Sequence, residues 1–223
     1  MMPFDGGLDA LPNGTLLFSI AASVLYLLVL GRPPSWRRTV AKTAATGLLA
    51  VLAAIEGGPA LLVVALVLSA AGDAFLAQDG ERAFTGGLAS FLLAHIFYTV
   101  LFLSVGGGVE IMLAQPWRLV LAAVVVVLAG VLLRLLMPAV GPALRVPVGA
   151  YTLAILIMML AAATVPSPLV LIGAALFVAS DALLAFDRFL TPPAAKGSGG
   201  RLGVQVWLLY YVAQLTITLG FLL

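Results

Sequence analysis

Solid apolar runs, separated by short clusters of glycine, proline and charge, fill nearly the whole chain. They lie at about 15–31, 37–55, 59–77, 84–105, 117–137, 143–165, 168–186 and 204–223. In lipid every backbone amide needs a partner, which leaves helices or a closed barrel, and barrel strands would alternate apolar with polar positions. A run such as 119–133, LVLAAVVVVLAGVLL, has no alternation and reads as helix. A spanning helix takes about 20 residues, so eight spans would use roughly 160. The pattern therefore predicts an all-α polytopic membrane protein with eight transmembrane helices in a single domain over 1–223. Gly31 to Pro34, Gly57 to Pro59, Gly106 to Gly108, Pro138 to Pro142 and Pro166 to Pro168 read as tight turns, and Pro192 to Gly200 as a flexible loop.

Composition removes the alternatives. Of 223 residues, 63% are apolar and 9% are Asp, Glu, Lys or Arg, against about 25% charged in a soluble domain. With no cysteine there is no disulfide framework or zinc-thiolate site. A net charge of +2 is too small and dispersed for a nucleic-acid footprint. Asp5 and Asp9 precede the first apolar run without a basic segment, so no cleaved signal peptide is expected.

The basic residues report orientation, because short Lys- and Arg-bearing loops stay in the cytoplasm. Arg32, Arg37, Arg38, Lys42, Arg82, Arg134, Arg145, Arg188, Lys196 and Arg201 all fall at one set of turns, and Arg118 alone falls at the other. Both termini are then expected outside, with the protein in a bacterial cytoplasmic membrane.

An internal match adds chemistry. Ala71-Gly72-Asp73-Ala74-Phe75-Leu76-Ala77-Gln78-Asp79 aligns with Ala179-Ser180-Asp181-Ala182-Leu183-Leu184-Ala185-Phe186-Asp187, identical at six of nine positions and offset by 108 residues. Two matched Asp among only six in the chain outweigh the common Ala and Leu matches. The chain reads as two parallel four-helix repeats, approximately 15–105 and 117–223, whose third helices end alike. Asp73 and Asp181 then lie at equal depth, about 9 Å inside the cytoplasmic boundary. A carboxylate there should face a bundle interior or cavity and is a functional candidate by default. The plainer reading is a packing role, with the carboxyl bonded to Ser69 or Ser180 or paired with a cation. Asp79 and Asp187 read as interface residues beside Arg82 and Arg188.

Other polar residues gather at the same depth. Lys42 could snorkel, pair with an acid or meet a phosphate. His95 and Tyr98 lie mid-span, and Tyr151, Tyr210, Tyr211 and Gln214 start from the cytoplasmic side. Tyr211 and Gln214, three apart, share a helix face and suggest an inward polar pair. Trp36, Trp117 and Trp207 read as interface anchors, and Phe84, Phe91, Phe97 and Phe102 as packing or lipid contacts.

Together these residues resemble the lysoplasmalogenase family, the YhhN-like membrane proteins. The matching pieces are Gly72-Asp73 with Leu76, the run from Phe84-Thr85-Gly86-Gly87-Leu88 through Phe91 to Ala94-His95 and Tyr98, Ser180-Asp181-Ala182-Leu183-Leu184-Ala185, Tyr210-Tyr211 with Gln214, and a second-span Lys42. The resemblance runs from about Arg37 to the C-terminus. It implies a membrane hydrolase that opens the vinyl ether of a lysoplasmalogen to a fatty aldehyde and a glycerophosphoethanolamine or glycerophosphocholine. That reaction needs a neutral acid to protonate the alkene and a carboxylate to orient water, roles that Asp73 and Asp181 suit without fixing which is which. The lysophospholipid would place its phosphate toward Lys42, with His95, Tyr98, Tyr151, Tyr211 and Gln214 lining the chamber. No cofactor or metal is implied. Oligomeric state and headgroup preference are left open.

Three other functions fit less of the pattern. A proton-coupled transporter could use the same aspartates, but a carrier exposes its acids to both sides and these polar residues crowd one. A zinc amidase lacks ligands, with one His and no Cys. A scaffold protein would be indifferent to loss of either acid.

Overall fold

The computed structural model of the protein describes residues 2–7, 9–192 and 202–223. Among these residues nine helices form and no strand: α1 (Leu11–Val29), α2 (Trp36–Ile55), α3 (Ala60–Leu76), α4 (Glu81–Val105), α5 (Gly108–Ala114), α6 (Trp117–Leu136), α7 (Pro142–Ala162), α8 (Pro168–Phe189) and α9 (Gly203–Leu222). Lys196, Ser198 and Arg201, with most of the loop expected at 192–200, lie outside the described residues. Seven helices are long and apolar enough to cross a bilayer. The chain is an integral, polytopic, all-α membrane protein. At 17 residues α3 is about 26 Å long, short of the roughly 30 Å hydrocarbon thickness.

Turn chemistry places the helix starts where the sequence puts them. The Ser35 hydroxyl accepts from the Arg38 amide at 3.4 Å and caps α2. Pro142 and Pro168 open α7 and α8, where a missing N–H costs least. One element was not expected. Gly108–Ala114 forms a seven-residue helix with no buried side chain, in a stretch too short to register as a span.

Helices α1 to α4 pack in sequence, α4 lies against α7, α8 pairs with α9, and α9 closes back on α1 and α2. Small residues permit the closest approaches. A Cβ added at Gly173 would lie 2.6 Å from Ile217 Cγ1 and 2.9 Å from the Ala213 carbonyl, so α8 and α9 touch there through backbone. Gly72 seats the ring of Phe91 from α4 beside Asp73. By contrast α6 is peripheral, with Arg118 and Leu136 as its buried residues.

Arg118, the exception to the charge asymmetry, has a structural role. Its Nη1 donates to the Ala163 and Val165 carbonyls, each at 2.8 Å, and its Nε to Gln115 Oε1 at 2.9 Å. These carbonyls follow the C-terminus of α7, where helix dipole and unpaired acceptors favour a cation.

The matched Asp segments do not end alike. Helix α3 stops at Leu76, three residues beyond Asp73, and Gly80, with φ of 105°, turns the chain into α4. Helix α8 continues through Asp187 and Arg188 to Phe189. Nothing in the second segment breaks a helix until Pro192.

Candidate active site

Helix α2 sets one wall with a ladder of polar side chains. Arg38, Lys42 and Thr46 are spaced four apart and therefore share one face. At its inner rung, Thr46 Oγ1 donates to Asp73 Oδ2 at 2.8 Å. The Tyr210 hydroxyl of α9 donates to the same oxygen at 2.7 Å. Lys42 Nζ lies 3.5 Å from the other oxygen, Asp73 Oδ1. Asp73 is thus 1% exposed yet met by one cation and two hydroxyls from two neighbouring helices. Lys42 also lies over the rings of Tyr26 and Trp207, 5.6 and 5.8 Å from their centroids. Both contacts suit a cation withdrawn from water.

Asp181 on α8 has different surroundings. Tyr151 of α7 donates its hydroxyl to Asp181 Oδ2 at 2.6 Å. His95 of α4 brings Nε2 to 3.6 Å of the same oxygen, just beyond hydrogen-bond length. The imidazole stands edge-on to Tyr151 and Phe177, with centroids 5.2 and 4.8 Å away. The serines that could have bonded the acids do not: Ser69 donates to the Ala65 carbonyl and Ser180 to that of Val206.

Both acids line one cavity of about 590 Å³. Its mouth carries Arg32, Arg38, Gln78, Asp79, Asp187 and Arg188, and its inner part Lys42, Trp207, Tyr210 and the two acids. A second cavity of about 480 Å³ runs between α6, α7, α8 and the start of α4, under Val125, Leu128, Leu132, Ile155, Met159 and Ala175. Leu76, Phe84, Phe91, Asp181, Leu184 and Arg188 border both spaces. Asp181 therefore sits where a polar chamber meets an apolar groove.

The sequence-chosen residues divide into two groups. Asp73, Asp181 and Lys42 line the chamber, Tyr151 lines the groove, and His95 backs Asp181. Tyr98 and Gln214 lie among neither set of lining residues; the Tyr98 hydroxyl donates to Gln214 Oε1, tying α4 to α9. Tyr211 corrects the expectation of a chamber residue. Its hydroxyl is 2.8 Å from Ser19 Oγ, which itself donates to the Ala45 carbonyl, so Tyr211 faces α1. Adjacent helical residues point about 100° apart, and it is Tyr210 that reaches the acid. Trp207 is also no interface anchor: it is buried, stacks with Tyr211 and donates Nε1 to Ser23.

Sequence reasoning missed Thr46, Arg38 and Tyr210 as site residues. The spacing Arg38, Lys42, Thr46 was the signal available for the first two.

Known proteins bear on this arrangement. The chain is 36% identical over 166 residues to the lysoplasmalogenase of Mycobacterium tuberculosis, covering 72% of this chain and 59% of that protein. It is 36% identical over 175 residues to the lysoplasmalogenase TMEM86B of Homo sapiens, covering 78% and 69%, and 30% identical over 178 residues to the human lysoplasmalogenase TMEM86A, covering 71% and 64%. The match thus spans less than two thirds of the mycobacterial protein's length. No solved structure matches the chain. The model of the YhhN family matches residues 37–221, which take in α2 from its first turn and every other element of both cavities except the end of α1 and the turn after it, and the chain belongs to that family.

Proposed function

We propose that this protein hydrolyses the vinyl ether of lysoplasmalogens, using Asp73 and Asp181 as a catalytic pair. The observation that carries the reading is the position of Asp181 at the border of a polar chamber and an apolar groove. A lysolipid has the same division. Its glycerol and headgroup would occupy the chamber and its alkenyl chain the groove, which brings the enol ether bond to the border.

The residues suggest a division of labour. Asp73, met by Lys42, Thr46 and Tyr210, is the carboxylate that orients water and offsets positive charge. Asp181, held through one oxygen by Tyr151, is the acid that delivers a proton from its other oxygen. Protonation of the alkene carbon distal to the ether oxygen gives an oxocarbenium ion. Water adds to the oxygen-bearing carbon and gives its proton to Asp73, leaving a hemiacetal. The hemiacetal collapses as protonated Asp73 returns its proton to the glycerol oxygen and Asp181 takes the hydroxyl proton, which breaks the carbon–oxygen bond to glycerol and releases a fatty aldehyde and glycerophosphoethanolamine or glycerophosphocholine. One water is consumed and both acids are restored.

The same reading places both termini outside and the chamber mouth in the cytoplasmic half, because the basic residues gather at the mouth. It also takes α1 to α4 and α6 to α9 as two parallel four-helix repeats, with α5 an insertion between them. The decisive experiment incubates purified protein with a lysoplasmalogen and measures fatty aldehyde, against the Asp181→Asn variant. Aldehyde from the wild type alone is expected. No release by the wild type would overturn the assignment.

A further inference from the structure

Among the described residues Arg38 is the one strongly basic side chain of the chamber mouth that is itself buried, at 8% exposed, and its contacts leave capacity unused. Nη1 donates to the Arg32 carbonyl at 3.2 Å, while Nε is buried without a hydrogen-bond partner among the described residues. Among the described residues Arg38 forms no ion pair with a carboxylate. Burying a guanidinium with an idle donor is costly unless an acceptor completes it. The surroundings favour an anion. Arg38 stands in the first turn of α2, where the helix dipole adds positive potential, one turn outward from Lys42. Lys42 does not compete for the anion, since its charge is directed at Asp73.

We propose that the Arg38 guanidinium seats the phosphodiester of the lysolipid headgroup, so that headgroup binding and proton transfer are divided between successive rungs of α2. This rests on the lysolipid reading for the identity of the anion. The guanidinium fork can offer Nε and a terminal nitrogen together to two phosphate oxygens, a geometry that lysine cannot reproduce. Seating the phosphate at the mouth leaves the glycerol to run inward past Lys42 toward the acids. Asp79 on the same rim gives the mouth the mixed charge that a zwitterionic headgroup complements.

The test uses the full chain in detergent and ligands that cannot be hydrolysed. Binding of a saturated 1-O-alkyl-glycerophosphocholine is compared with that of the matching 1-O-alkylglycerol, which lacks phosphate. Arg38→Gln is expected to cut the preference for the phosphate-bearing lipid by about 10- to 100-fold, the worth of a charge-assisted pair. Arg38→Lys should fall in between. Arg37→Gln removes the same charge from the exposed neighbour outside the chamber and should retain the preference. An unchanged preference in Arg38→Gln, or an equal loss in Arg37→Gln, overturns the proposal. Inorganic phosphate is the competitor that separates sources: displacement of the lipid at low millimolar concentration would make this a free-phosphate site and overturn the headgroup assignment. Because the ligands are inert, failure here is distinct from failure to release aldehyde.

Discussion

Lys42 Nζ lies 3.5 Å from Asp73 Oδ1, on the opposite side of the carboxyl from the hydroxyls of Thr46 and Tyr210. The pair joins α2 to α3 inside the chamber, with 9% and 1% of the two residues exposed. Removing one partner of a buried pair strands the other, so the pair behaves as a unit.

Lys42→Met is therefore expected to lower kcat by more than it raises KM. A lysine that held the substrate's phosphate equally in ground and transition states would do the reverse. Steady-state kinetics with a lysoplasmalogen checks this, and a change confined to KM would return Lys42 to the headgroup.

Asp73→Asn and Asp181→Asn should each lower turnover by at least 100-fold, the scale of a lost general acid or base. The amides keep size and hydrogen bonding but cannot exchange a proton. If the acids act on one bond, the double variant should be scarcely slower than the worse single one, because interdependent groups are not additive. Full activity in either variant excludes the pair.

Neighbouring tyrosines make a sharper comparison. Tyr151→Phe removes the hydroxyl that fixes Asp181 and should reduce kcat while leaving lysolipid binding nearly intact. Tyr211→Phe removes a hydroxyl that meets Ser19, so its cost should appear as about 0.5–1.5 kcal/mol of stability and not in turnover. Thermal unfolding and initial rates, measured on the same preparations, distinguish the two.

That contrast also marks what the sequence could convey. The helices were legible because each is a solid apolar run, and Asp73 and Asp181 stood out because a carboxylate within such a run is costly. Depth along a helix follows from counting residues. Facing does not, when every side of the helix is apolar and no amphipathic stripe distinguishes interior from lipid. Tyr210 and Tyr211 have the same depth and chemistry, and only the packing of α9 against α1, α2 and α8 decides which meets the acid. Trp207 followed the same course, since a tryptophan near a span start reads as an anchor until a second helix covers it. Helix α5 was hidden for another reason, its length.

The α8–α9 contact gives a prediction about the scaffold. At Gly173 even one added carbon would meet the Ala213 carbonyl at 2.9 Å, and backbone cannot rotate aside. Gly173→Val should destabilise the protein by about 1–3 kcal/mol through overpacking. It should also displace α8, so activity would fall with stability although residue 173 lies outside both cavities.

The groove beyond Asp181 should set chain-length preference. Ala175 lies six residues earlier on α8, about 9 Å deeper toward the bilayer centre, and lines the groove opposite Val125, Leu128 and Leu132 of α6. An alkenyl chain leaving the border must pass it. Each methylene taken out of water contributes about 0.8 kcal/mol, so for a lysolipid delivered as monomer from water every added carbon within the groove should raise apparent affinity up to about fourfold. Ala175→Phe would fill the passage while leaving the space next to Asp181 open. Substrates with chains short enough to end before residue 175 should be hydrolysed at rates close to wild type, and those with long chains should lose kcat/KM through a raised KM. Peripheral α6 packs only lightly on α7 and α8, so it is the wall most able to yield to the new ring. Replacing Leu128 by alanine in the Ala175→Phe background should then restore part of the long-chain activity. An unaltered chain-length profile in Ala175→Phe would place the alkenyl chain elsewhere.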